Sequence, residues 1–123
     1  MSNMKILVID DDPDILESVS IILNSENFTV ITATDGIEGL EKFKSDKPDL
    51  VICDMMMERV DAGSKVAESI RKENKEIPLY LLSSIGDATA STIEIANLGF
   101  NGALQKPVEP KSFIAEIKKA LKL

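Results

Sequence analysis

Leu50-Val51-Ile52-Cys53-Asp54 is a run of four apolar residues that ends in one carboxylate. An unbroken apolar run of this length fits a strand covered on both faces, as in a parallel sheet. The acid that closes it then stands at the C-terminal edge of the sheet, where open α/β folds place their sites. Ile6-Leu7-Val8-Ile9 repeats the pattern and runs into Asp10-Asp11-Asp12. If these strands are neighbours, three or four carboxylates crowd one crevice. Like charges packed this closely repel one another unless a cation neutralises them, so the pattern asks for a metal.

The rest of the chain alternates in the same way. Pro13, behind a capping Asp12, opens a helix with Ile15, Val19, Ile22 and Leu23 on one face. Phe28 to Ala33 reads as a strand, and Asp35-Gly36 starts a helix with Ile37, Leu40 and Phe43 turned inward. Ser64 to about Lys72 is helical, with Val66, Ala67 and Ile70 on its apolar side. Pro78 opens the strand Leu79 to Leu82, which ends at Ser83-Ser84. Asp87 to Leu98 reads as a weakly amphipathic helix closed by Gly99. Gly102 to Gln105 is a short strand before Lys106-Pro107, and Pro110 opens a last helix with Phe113, Ile117 and Leu121 inward.

Five strands alternating with five helices predict an α/β fold with helices on both faces of a parallel sheet. Right-handed crossovers leave few topologies, and the expectation is a flavodoxin-like three-layer sandwich with strand order 2-1-3-4-5. In that order the first and third strands are neighbours at the switch point, so Asp10, Asp11 and Asp54 meet. The whole chain, residues 1–123, reads as one domain.

Composition excludes several functions. Apolar residues are 44% and charged residues 28% of the chain, the balance of a globular domain. A net charge of −7 and a pI near 4.6 argue against a nucleic-acid surface here. No apolar run approaches the roughly 18 residues of a membrane span, and no signal-peptide pattern precedes the first strand. The single cysteine, Cys53, reads as a reduced core residue. The expectation is a cytoplasmic protein that binds neither membrane nor nucleic acid. With no histidine, the chain has no histidine-based catalysis and no phosphohistidine of its own.

Each candidate residue also has a plain reading. Asp10 to Asp12 are good helix caps, Asp54 suits a loop, Ser83 suits a strand end, Lys106 suits solvent, and the methionines Met55 to Met57 suit a core. What outweighs these readings is joint placement: acids end strands one and three, a hydroxyl ends strand four and a lysine ends strand five. That set supports phosphoryl transfer to a carboxylate. Aspartate is a competent nucleophile for forming an acyl phosphate, and the transfer needs mainly positioning and charge stabilisation. A divalent metal on Asp11 and Asp54 would offset the charges, with Mg2+ suited to few protein oxygens plus several waters. Lys106 and Ser83 would each contact a phosphoryl oxygen.

At these residues the chain resembles the receiver domains of two-component response regulators. The resemblance rests on Ile6 to Pro13, Pro48 to Met57, Leu81 to Ser84 and Lys106-Pro107, and covers essentially the whole chain. It implies that Asp54 is the phosphoacceptor, that Asp11 binds Mg2+ directly and Asp10 through water, and that Met56 lends a backbone carbonyl. It also implies that Ser83 is the switch hydroxyl, that Lys106 contacts the phosphoryl group before a cis proline bond, and that the domain is not an enzyme. The implied donor is a histidine kinase or a histidine phosphotransfer protein, and the implied target is an output partner or a fused output domain.

Two features depart from the family pattern. The segment Glu58-Arg59-Val60-Asp61-Ala62-Gly63 replaces the usual proline and glycine after the Met-Met pair, with one residue inserted when Gly63 is matched to the family glycine. Ala103 stands where many receivers carry an aromatic ring, so the surface of residues 84–98 is expected to carry the response to phosphorylation without a ring that turns. Two other classes fit the sequence less well. A haloacid-dehalogenase-like phosphohydrolase wants a second acid two residues after the nucleophile, where this chain has Met56. A flavin carrier wants a hydroxyl- and glycine-rich loop after strand one, where this chain has three aspartates.

Overall fold

The computed structural model describes residues 4–54, 62–84, 99–106 and 108–122, with backbone alone at 62–65, 83–84 and 105–106. In chain order the elements are β1 (Lys5–Ile9), α1 (Pro13–Ser25), β2 (Thr29–Ala33), α2 (Gly36–Asp46), β3 (Leu50–Asp54), α3 (Ala62–Glu73), β4 (Leu79–Ser84), β5 (Gly102–Lys106) and α4 (Pro110–Ala120). All strand pairs are parallel, in the order β2-β1-β3-β4-β5. Five helices were expected. Four stand among the described residues, and the segment read as helical from Asp87 to Leu98 lies outside them.

The sheet divides two cores by the strand's two-residue alternation. Leu7, Ile9, Val51, Cys53, Leu79 and Leu81 face α2 and α3, meeting Phe43, Val66 and Ile70. Ile6, Val8, Leu50, Ile52 and Leu82 face α1 and α4, meeting Leu16, Val19, Leu23, Phe113 and Ile117. Burial of β3 on both sides is what its unbroken apolar run requires, and each such side chain contributes about 1.5–3 kcal/mol.

Local chemistry starts α1, α2 and α4. Asp12 accepts from the Asp14 N–H at 2.9 Å with Pro13 in the first turn, as its position predicted. Asp35 and Glu38 form a reciprocal cap: the Glu38 N–H donates to Asp35 Oδ1 at 2.7 Å, while Glu38 Oε1 accepts from the Thr34 N–H at 2.7 Å and its hydroxyl at 3.0 Å. Glu109 caps α4 by accepting from the Ser112 N–H at 2.9 Å and the Lys111 N–H at 3.2 Å.

One expectation about α2 fails. Ile37 is 77% exposed rather than inward. At 100° per residue it sits about 120° around the helix from Phe43, and the inward position belongs to Gly39, which lies against Ile9. On α1, Leu16 is buried, and Ile15 and Ile22 pack at the margin of the same core.

Beyond the far end of the sheet, Arg71 ties three segments together. Its Nε donates to Gly99 O at 2.8 Å, Nη1 to Ile77 O at 2.8 Å and Nη2 to Asn101 Oδ1 at 2.8 Å. Asn101 Oδ1 also accepts from the Leu79 N–H at 2.8 Å. Gly99 has φ +99°, and a Cβ there would come within 2.9 Å of Arg71 Cγ, so both the backbone and the close approach call for glycine. The expected stop glycine at 99 therefore has a structural reason, though the segment before it is not described.

Candidate phosphoacceptor and metal site

Val8 pairs with Ile52, and Ile9 with Cys53, in the β1–β3 ladder. Two residues past the first of those pairs come Asp10 and Asp54, so both carboxylates emerge side by side at the C-terminal edge of the sheet. Asp10 is held in place through its N–H, which donates to Ala33 O of β2 at 3.0 Å. Its Oδ1 accepts from the Asp12 N–H at 2.9 Å. The three consecutive aspartates thus divide their work. Asp10 turns into the sheet edge and is fully buried, Asp11 is exposed at the rim, and Asp12 caps α1.

One carboxylate oxygen from each of Asp10, Asp11 and Asp54 lies within 4.8 Å of the other two. Oxygens around a Mg2+ at about 2.1 Å are roughly 3–4 Å apart, so this set needs only a small closure to hold such an ion. Acidic clusters on open surfaces are common without a metal. Here Asp54 is only 4% exposed and Asp10 not at all, so water does little to screen their repulsion. All-oxygen donors at this spacing suit a hard divalent cation.

Cys53, the neighbour of Asp54, is buried and donates through Sγ to Asp54 O at 3.4 Å. Burial pushes its thiol far above the ordinary range, and the charges of Asp54 and Asp10 push the same way. It stays an unreactive thiol at neutral pH, in line with its reading as a core residue.

Strand register accounts for the rest of the edge. Asp54 pairs with Leu82 of β4, which puts Ser83 one residue further out. Ser83 then pairs with Gln105 and Ser84 with Lys106. The backbone thus sets Ser83, Ser84 and Lys106 along the edge that carries the acids. Met56, Pro107 and most of the Glu58–Gly63 loop lie outside the described residues, as does the 84–98 surface from residue 85 onward. Of that loop, Ala62 and Gly63 belong to the first turn of α3, which starts two residues before the expected Ser64. Ala103 is exposed on β5.

Sequence reasoning missed Glu38 and Arg71. The pattern Asp35-Gly36-Ile37-Glu38 is a capping box and was legible as one. It secures the chain just past β2, beside the Asp10 amide. Arg71 carried no local signal, because two of its partners, Gly99 and Asn101, lie 28 and 30 residues away in the chain.

A parallel 2-1-3-4-5 sheet with buried acids at the ends of β1 and β3 defines a phosphoryl-accepting signalling domain of the receiver class. The chain belongs to the response regulator receiver domain family, whose model matches residues 6–118. These are signalling domains of two-component systems and are not generally classed as enzymes. The chain is 32% identical over 120 residues to the alkaline phosphatase synthesis transcriptional regulatory protein PhoP of Bacillus subtilis, covering 98% of this chain and 49% of that one. It is 36% identical over 118 residues to the probable transcriptional regulator ycf27 of Guillardia theta, covering 96% of this chain and 45% of the relative. It therefore spans about half the length of the curated relatives it matches. Among solved structures, a response regulator of Chloroflexus aurantiacus described as putative superposes with a TM-score of 0.90 at 28% identity, covering 99% of this chain and all of that one. The chemotaxis response regulator CheY4 of Vibrio cholerae superposes with a TM-score of 0.84 at 27% identity, covering 97% and 99%. Among the described residues no helix is long and apolar enough to cross a membrane.

Proposed function

We propose that this domain accepts a phosphoryl group on Asp54 from a phosphohistidine donor, a histidine kinase or a histidine phosphotransfer protein. The observation that carries the proposal is the trio Asp10, Asp11 and Asp54, two of them buried, at the ends of adjacent strands. A carboxylate oxygen of Asp54 attacks phosphorus, the P–N bond to the donor imidazole breaks, and an acyl phosphate forms on Asp54. Bound Mg2+ supplies positive charge to offset the carboxylates and the phosphoryl oxygens. Asp10, Asp11, Asp54 and the Met56 carbonyl would hold that ion, Asp10 through water.

Lys106 meets a phosphoryl oxygen with its ammonium, and the Ser83 hydroxyl donates to another. Both come from strand ends next to Asp54 or one strand further along. Because Ala103 has no ring to turn, the response passes from Ser83 and Ser84 into residues 84–98, as a shift of population toward the state with better phosphoryl contacts. The target is an output partner or an output domain in the same protein, which fits transcriptional regulators about twice this chain's length. Binding neither membrane nor nucleic acid through this domain, it acts in the cytoplasm.

Backbone NMR with Mg2+ and beryllofluoride, an acyl-phosphate mimic, tests this reading. Shifts at Asp10, Asp11, Asp54, Ser83 and Lys106 that extend into 84–98 are expected. Silence at the acids would overturn the site. Changes confined to residues 54–63 would overturn the route of the response.

A further inference from the structure

Ile21 is 62% exposed, and it lines an apolar groove of about 480 Å3 between α1 and α4. Ile22, Pro110, Ile114 and Ala115 line it too, with Lys111, Lys118 and Glu26 among its polar residues. The two helices that form it carry opposite charge. α1 holds Asp14 and Glu17 and no basic residue, whereas α4 holds Lys111, Lys118 and Lys119 against the single acid Glu116. On a chain of net charge −7, this face is locally balanced. We propose that it is a self-complementary surface through which two copies of this chain form a weak dimer.

The geometry fixes how the copies would meet. α1 and α4 both return from parallel strands, so they point the same way. The Lys118 Nζ to Glu26 Oε1 pair at 2.9 Å sets those two residues at one height. Lys111 lies two helical turns before Lys118, which brings it level with Val19, between Glu17 and Ile21. A two-fold axis running along the groove sets α1 of one copy over α4 of the other. Glu17 then faces Lys111 of the second copy, and the reverse, while the Ile21 side chains fill the apolar grooves. The charge pattern matches a second copy, because each helix meets its opposite in sign and the residual negative charge stays on other faces. Two helices, the longer of 13 residues, make a face small for a stable complex, so association is concentration-dependent.

Sedimentation velocity on the unphosphorylated protein over a range of concentrations tests the proposal, and because it needs no phosphoryl group its failure is separate from that of the Asp54 assignment. A monomer–dimer equilibrium that weakens as salt rises is expected. Glu17→Lys and Lys111→Glu should each weaken it about tenfold, since each change breaks two symmetric pairs and makes both repulsive. The double charge swap should restore it, and Ile21→Glu should abolish it with the circular dichroism unchanged. A monomer at every concentration would overturn the proposal. So would a dimer insensitive to all of these changes, which would lie on another face. So would a monomer whose Ile21 and Ile114 amides shift only on adding a phosphohistidine donor, which would give the groove to that donor.

Discussion

Asp10 and Asp54 stand side by side because Val8 and Ile52 pair in the β1–β3 ladder, and each acid lies two residues beyond its member of that pair. That register makes a site of residues far apart in the chain. It also builds a cost into the folded state, since two buried carboxylates and a third at the rim repel one another at short range.

Removing one of those charges should therefore relieve the protein while disabling the metal. Asp11→Ala is expected to keep or raise the melting temperature of the metal-free protein, by up to about 4 °C if the relief is about 1 kcal/mol. Mg2+ should stabilise the wild type and not this variant. Calorimetry is the suitable method, because the chain has no tryptophan. Equal Mg2+ stabilisation of both proteins would remove Asp11 from the metal site.

Two caps predict the acid limb of the stability curve. Backbone and side-chain hydrogen bonds from Thr34 hold Glu38, and those from Ser112 and Lys111 hold Glu109, below the ordinary carboxyl value of 4.5. A depressed folded value means that the stabilisation is present above 4.5 and drains away as pH falls through the folded value. Glu38→Gln and Glu109→Gln should each make stability fall less steeply below that pH. Acid titrations identical to wild type would contradict the capping geometry.

At Gly39, α2 packs tightly against Ile9 of the sheet. A Cβ there would lie 2.5 Å from Ile9 Cδ1 and 2.8 Å from Cγ1. Alanine gains about 1 kcal/mol of helix propensity, but forcing a fully buried isoleucine aside typically costs about 1–3 kcal/mol. Gly39→Ala should thus be neutral to destabilising by chemical denaturation, and Ile9→Val should be less damaging in that background than in the wild type. Stabilisation by Gly39→Ala alone would show that Ile9 moves freely.

Arg71 holds the Gly99 and Ile77 carbonyls and Asn101 through a planar fork. Arg71→Met should cost about 2–3 kcal/mol, because it leaves half-buried acceptors without their donors. Arg71→Lys should recover little, since an ammonium cannot reach three divergent acceptors. Full recovery by lysine would reduce the knot to a charge effect.

The two apolar runs that end in acids made the parallel sheet, its strand order and the acidic trio legible in the sequence, because a strand buried on both faces has no polar positions to confuse its period. The caps at Asp12 and Asp35 were legible for a similar reason, being local. Ile37 was misread because the inward face of α2 is centred on a glycine, which adds nothing to an apolar pattern. Leu16 was passed over among crowded aliphatic neighbours. Arg71 could not be read at all, since it is defined by carbonyls that only the fold brings together.

The most direct test of the account is the intact mass of wild type and Asp54→Asn after incubation with acetyl phosphate, with and without Mg2+. The wild type should gain one phosphoryl group only when Mg2+ is present, and Asp54→Asn should gain none. Labelling of Asp54→Asn to the wild-type level would contradict the assignment of Asp54 as the phosphoacceptor.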